Sequence, residues 1–93
     1  MILSFGDRDT ELLFKRFKIQ KIPFSIHKRA RNKLLIINAA ACENDLRIPP
    51  GNRFEKLKGN LKDYCCIRIN DQWRIKFKWL AGNAIDVAIT DYH

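Results

Sequence analysis

The stretch from Trp73 to Trp79 limits the possible folds more than any other: Trp73, Ile75, Phe77 and Trp79 alternate with Arg74, Lys76 and Lys78. A period of two belongs to a β-strand, and it sends the apolar side chains to one face and the three cations to the other. Such a strand needs a sheet with one face buried under a hydrophobic layer and the other open. Neighbouring segments repeat the pattern. Tyr64 to Asn70 sets Cys65, Ile67 and Ile69 against Tyr64, Cys66 and Arg68, and the last strand sets Ile85, Val87 and Ile89 against Asp86, Ala88 and Thr90. Asn70, Asp71 and Gln72, then Ala81, Gly82 and Asn83, supply the turns of an antiparallel meander. Phe54 to Lys58 offers a weaker strand before Gly59 and Asn60, and Ile2 to Phe5 a short first one.

The covering layer is helical. Asp7 or Asp9 can cap a first helix carrying Leu13 and Phe17, with Glu11 at its positive end and Lys15, Arg16 and Lys18 at its negative end. After a break at Lys21, Ile22 and Pro23, Ser25 is the expected cap of a second helix. Its stripe is Ile26, Ala30, Leu34, Ile37 and Ala41, with Lys28, Arg31 and Asn32 on the other side. Pro49, Pro50 and Gly51 make the Cys42–Asn52 stretch a loop. The predicted class is α+β, with two N-terminal helices packed on a small, mainly antiparallel sheet in the order β-α-α-β-β-β, plus room for one extra short strand.

A chain of 93 residues with 46% hydrophobic content has one modest core and is read as a single domain, 1–93. No apolar run approaches the ~20 residues of a membrane span. The opening MILSFGDRDTELL has acids where a signal peptide has bases, so a soluble cytoplasmic protein without a membrane partner is expected. Cysteine usage agrees, since an odd count of three with Cys65 and Cys66 adjacent does not suit a disulfide framework; all three are expected as small core or sheet residues. The two histidines, His27 and His93, have no metal-ligand spacing, and His27 is expected on the surface.

The net charge of +8 is not evenly spread. Lys15 to Lys33 holds eight bases and no acid, Arg47 to Lys78 nine bases against Glu55, Asp63 and Asp71, and the chain from Trp79 onward has no Lys or Arg. Basic zones inside a folded domain, interleaved with aromatics, point to a polyanion, with nucleic acid first. Arg68, Arg74, Lys76 and Lys78 on one sheet face repel one another unless an anion meets them, which makes that face a candidate phosphate-binding surface. Cutting RNA there requires a base near the 2′-hydroxyl, cations on the phosphorane and an acid for the 5′-oxygen. Asp91, Tyr92 and His93 supply acid and base candidates directly after the last strand.

The opening ILSF, the segment DLRIPPGNRFEKLKGN, the strand pair CIRINDQWRIKFKW and the ending ITDYH together resemble the HigB-type toxins of bacterial type II toxin–antitoxin systems, or plasmid maintenance killer proteins, in the RelE superfamily. The resemblance spans essentially the whole chain. It implies a metal-independent endoribonuclease, with no cofactor, that cuts mRNA in the ribosomal A site. It also implies a helix-turn-helix antitoxin (HigA-like), through which alone operator DNA is bound. By this resemblance Arg74 stabilises the transition state, Lys58 matches the lysine of L-K-G, and Asp91, Tyr92 and His93 match the terminal D-Y-H of proton transfer or RNA positioning. Arg68, Lys76, Lys78, Arg53, Lys56 and Lys62 are assigned to RNA and ribosome contact. One position departs: Glu55 stands where some members have histidine, and an ionised carboxylate is no acid at neutral pH. The rivals are a non-catalytic nucleic-acid binding module and a weakly active toxin that works mainly with its partner.

Overall fold

The computed structural model describes residues 1–91. Asp7 caps α1 (Arg8–Phe14), its carboxylate accepting from the Thr10 N–H at 2.7 Å, so of the two candidate caps the first is used. The helix is shorter than its Leu13–Phe17 spacing implied. Arg16 turns left-handed at φ 74°, its N–H donates to the Leu13 carbonyl at 3.0 Å and that of Phe17 to the Leu12 carbonyl at 2.9 Å. This paired closure reverses the chain and leaves Phe17 exposed, not in the core.

α2 (His27–Ala39) is entered from a 3-10 turn, Phe24–Ile26, that occupies Ser25 and leaves Ile26 at the cap position with no side-chain cap bond. Ile26, Ala30, Leu34 and Ile37 are buried as the periodicity predicts, but the helix ends before Ala41, and Ala40 takes the last core place. His27 is also buried, against expectation: its Nε2 donates to the Ile22 carbonyl at 2.9 Å, which satisfies the ring inside the interhelical turn. Arg31 reaches across to the Leu13 carbonyl at 3.1 Å and so ties α2 to the end of α1.

The sheet has the order β1 (Glu55–Lys56), β2 (Tyr64–Arg68), β3 (Trp73–Leu80) and β4 (Asn83–Asp91), all neighbours antiparallel. The α+β class expected from the sequence is therefore observed. Ile67, Ile75, Phe77 and Val87 are fully buried under the helices, with Trp73 and Trp79 partly buried beside them. Two residues, Ala81 and Gly82, turn β3 into β4, both at positive φ as the twist of a tight hairpin requires.

β4 departs from simple alternation. Lys76 pairs with Ala88 but Lys78 with Ile85, so Asp86 and Val87 together oppose Phe77, and Asp86 adopts φ 56°. This bulge shifts the phase by one residue, so Ala84 enters the core and Ile85, expected there, does not. It also explains why Ile2–Phe5 is not a regular strand. The segment makes two isolated parallel bridges to β4, Ile2 to Ala84 and Phe5 to Val87, and between them Ser4 Oγ accepts from the Asp86 N–H at 2.9 Å. Gly6 follows where a Cβ would stand 3.0 Å from the Asp86 carbonyl oxygen, so no larger residue fits without a shift. Thr10, fully buried, accepts from the Ile89 N–H at 2.9 Å and fixes α1 to β4.

The Cys42–Asn52 loop contains two 3-10 turns organised around Asn52, which is fully buried. Its Nδ2 donates to the Leu46 and Ile48 carbonyls, both at 3.1 Å, and its Oδ1 accepts from Lys33 Nζ. Burial, then the nearby Arg29, lowers the Lys33 pKa. Among the described residues, no helix is long and apolar enough to cross a membrane. Cys65 and Cys66 lie in the sheet as expected, whereas Cys42 is exposed at the start of this loop. Burial, with Cys66 and Glu43 adding to it, pushes the Cys65 thiol up to about 12.

Asn52→Ala leaves three groups without their partner and should cost about 2–3 kcal/mol in chemical denaturation. A loss below about 0.5 kcal/mol, the usual size of a surface effect, would show that the loop does not depend on it. The thiols give a second test. At pH 8 iodoacetamide should label Cys42 alone in the folded protein, and all three cysteines only with denaturant. Because the folded Cys65 pKa is raised, its contribution to stability should be intact below pH 9.0 and lost as pH rises towards about 12. Equal labelling of the three thiols without denaturant would contradict the burial.

Candidate active site

Opposite the core, alternation gathers Tyr64, Cys66 and Arg68 from β2, Arg74, Lys76 and Lys78 from β3, and Ile85, Ala88 and Thr90 from β4. The registers form rows across the sheet: Tyr64, Lys78 and Ile85; then Cys66, Lys76 and Ala88, joined by Glu55 of β1; then Arg68, Arg74 and Thr90. The row of two directly opposed arginines and the two lysines of β3 bring like charges together.

Each cation has a partner within the fold. Lys76 and Lys78 place their ammonium groups 5.0 and 5.1 Å from the centroid of the Tyr64 ring, where the ring's negative face attracts both. The Arg68 guanidinium is paired with the Asp71 carboxylate in the β2–β3 turn. Arg74 donates through Nη1 to the carbonyl of Asn70 and, at 3.3 Å, to that of Trp73. The cationic face is thus stabilised without an external anion, and its charges are held in position beforehand.

A cavity of about 210 Å³ opens on this face, lined by Leu57, Leu61, Cys66, Arg74, Lys76 and Thr90. Two apolar walls, two cations and a hydroxyl suit a phosphate with an adjoining sugar or base. Cys66 does not make it a thiol nucleophile, because burial and then Glu55 raise its pKa while Arg74 pulls the other way. A hollow of about 360 Å³ on the helix side is larger but is lined by Asp7 and Asp9, which repel phosphate, beside Lys21 and Trp73. Among the described residues no group of three or more His, Cys, Asp or Glu is arranged to hold a metal ion.

The structure places the sequence-derived candidates in three groups. Arg74 and Lys76 line the cavity, and Arg68 and Lys78 stand in the adjacent rows. Lys58 is exposed between Leu57 and the 3-10 turn Gly59–Leu61, in the segment that walls the cavity. Arg53, Lys56 and Lys62 lie elsewhere. Arg53 closes the Pro50–Asn52 turn in a left-handed conformation, Lys56 is 3.2 Å from Glu43, and Lys56 and Lys62 line a separate cavity of about 180 Å³ with Asp63 and Trp79. Asp91 pairs in register with Trp73, on the side of the sheet away from Arg74, and its Oδ2 accepts from Gln72 Nε2 at 3.3 Å. Tyr92 and His93 lie outside the described residues.

Sequence reasoning missed Leu57, Leu61 and Thr90 as lining, and Tyr64, Asn70 and Asp71 as partners of the cations. Leu57 and Leu61 carry a signal, being apolar and four apart in an otherwise polar segment. The carbonyl of Asn70 carries none, since every residue has one.

Comparison with known proteins follows the same outline. A family model described as the RelE-like toxin of type II toxin–antitoxin system HigB matches residues 3–93. "Toxin HigB-1" of Vibrio cholerae serotype O1 is 48% identical over 87 residues, covering 92% of each chain. "Endoribonuclease HigB" of Proteus vulgaris is 29% identical over 93 residues, covering 100% of each, and an uncharacterized protein of Haemophilus influenzae is 36% identical over 78% of this chain and 71% of its own. With the helix-backed sheet, its open cationic face and a family match from residue 3 to residue 93, the chain belongs to the HigB family of RelE-like toxins of type II toxin–antitoxin systems.

Proposed function

We propose that the protein is an endoribonuclease that cuts mRNA in the ribosomal A site and arrests translation in the cytoplasm. The observation that carries this reading is the open-face cavity, in which the anchored Arg74 guanidinium stands beside Lys76 and Thr90. Family membership and the endoribonuclease name of the Proteus vulgaris relative support it. A type II toxin has an antitoxin as its partner. For this chain we assign that role to a helix-turn-helix protein encoded beside it, which neutralises the toxin and alone contacts operator DNA.

The chemistry follows from a phosphodiester next to a 2′-hydroxyl. The 2′-oxygen attacks phosphorus, the bond from phosphorus to the 5′-oxygen breaks, and the products are a 2′,3′-cyclic phosphate, or the 3′-phosphate after hydrolysis, and a 5′-hydroxyl. Arg74 faces the extra charge of the pentacoordinate phosphorus, and Lys58 provides a second cation from the cavity wall. Lys76, Lys78 and Arg68 hold the flanking phosphates, while Arg53, Lys56 and Lys62 serve as outer contacts with RNA or ribosome. By family resemblance the proton transfers are assigned to Tyr92 and His93, and Asp91, on the side of the sheet away from Arg74, to an orienting role. Glu55 lies exposed in the row of Cys66, and donation of the proton to the 5′-oxygen is assigned to Tyr92 or His93.

Replacing the 2′-hydroxyl of the scissile nucleotide by hydrogen in ribosome-bound mRNA should abolish cleavage; continued cutting would rule out the mechanism. Arg74→Ala should lower the single-turnover rate by roughly 10²–10³-fold while ribosome binding persists, as expected for loss of a group acting on the developing charge. A binding module without catalysis would instead lose affinity stepwise with each cation removed and would produce no new 5′ ends in primer extension.

A further inference from the structure

We propose that Asn70 is a positioning residue for the site, fixing the aim of the Arg74 guanidinium through the turn that it closes. The proposal rests on the reading of Arg74 as the cation at the scissile phosphate. Asn70 uses both its side chain and its main chain. Its Oδ1 accepts from the N–H of Gln72 at 2.9 Å and of Trp73 at 2.7 Å, folding the carboxamide back over the turn. Its own N–H donates to the Trp73 carbonyl at 3.2 Å, beside that of Ile69 at 2.9 Å. The turn is thereby closed on both strands, and the Asn70 carbonyl is directed at Arg74 Nη1.

Arg74 needs such an anchor for a physical reason. A guanidinium on a long, flexible stem has to be held within a fraction of an ångström to act on a transition state, and immobilising it costs rotamer entropy. A main-chain carbonyl in a closed turn supplies such a hold from a fixed position. The next residue treats the other arginine differently. Asp71 pairs with Arg68, and Arg68 is absent from the cavity lining although it stands directly opposite Arg74. The same turn therefore meets the two arginines differently, with a carbonyl for Arg74 and a carboxylate for Arg68.

The test compares Asn70→Ala, which removes the side-chain acceptor, with Asn70→Ser, which retains a neutral one. On mRNA-programmed ribosomes, Asn70→Ala should lower kcat by at least about tenfold with KM within about twofold, and Asn70→Ser should recover most of the rate. The protection of the Arg74 Nη1 protons from solvent exchange, read by NMR on the free protein, should be lost in Asn70→Ala and kept in Asn70→Ser. Wild-type kcat in Asn70→Ala, unchanged Arg74 protection, or failure of Asn70→Ser to recover the rate despite a wild-type Tm would overturn the proposal. If the unmodified protein cuts no ribosome-bound mRNA, the nuclease reading fails, while the exchange measurement still decides whether Asn70 holds Arg74.

Discussion

Everything in this domain depends on the antiparallel register of β2 against β3. The same alignment that sets Ile67 against Ile75 and Cys65 against Phe77 in the core also sets Arg68 against Arg74 and Cys66 against Lys76 on the open side. A slip of one residue would exchange the two faces, burying cations and exposing Phe77, at a cost far above the few kcal/mol by which small domains are stable. Hydrophobic burial thus specifies where the charges stand. The core enforces the site although none of the site's cations belongs to it.

The open face then has to tolerate its own charge, and the solutions differ by residue. An aromatic ring shared by two lysines leaves both positive, and a carboxylate on Arg68 partly cancels that charge. Carbonyls on Arg74 orient the group. The result is a gradient of environments across a uniformly basic surface, from an aromatic ring through carbonyls to a carboxylate. A sum over side chains, such as the net charge of +8, cannot express that gradient.

Much of this was legible in the chain because it rests on periodicity. The alternation of β3, the stripe of α2 and the turn at Asn70–Gln72 each follow from spacing, and the cationic face followed from them. What was not legible rests on backbone geometry without a residue signature. Arg16 and Asp86 adopt left-handed conformations where glycine would be the expected marker; the first cut α1 short of Phe17, and the second moved Ala84 into the core in place of Ile85. His27 and Asn52 look like surface residues until their carbonyl partners at Ile22, Leu46 and Ile48 are known. In the site, Arg74 and Lys76 were readable from the strand, whereas the walls Leu57 and Leu61 depend on how the chain after β1 folds back.

The bulge in β4 has a wider meaning. Had the hairpin pairing at Leu80 and Asn83 continued unbroken, Ile89 would have stood opposite Arg74, and Ala88 and Thr90 would have faced the helices. The extra residue at Asp86 instead brings a hydroxyl to the arginine and returns Ile89 to the core. A single insertion midway along the strand therefore acts as a parity switch, deciding for every position after it whether evolution tunes that residue for packing or for chemistry.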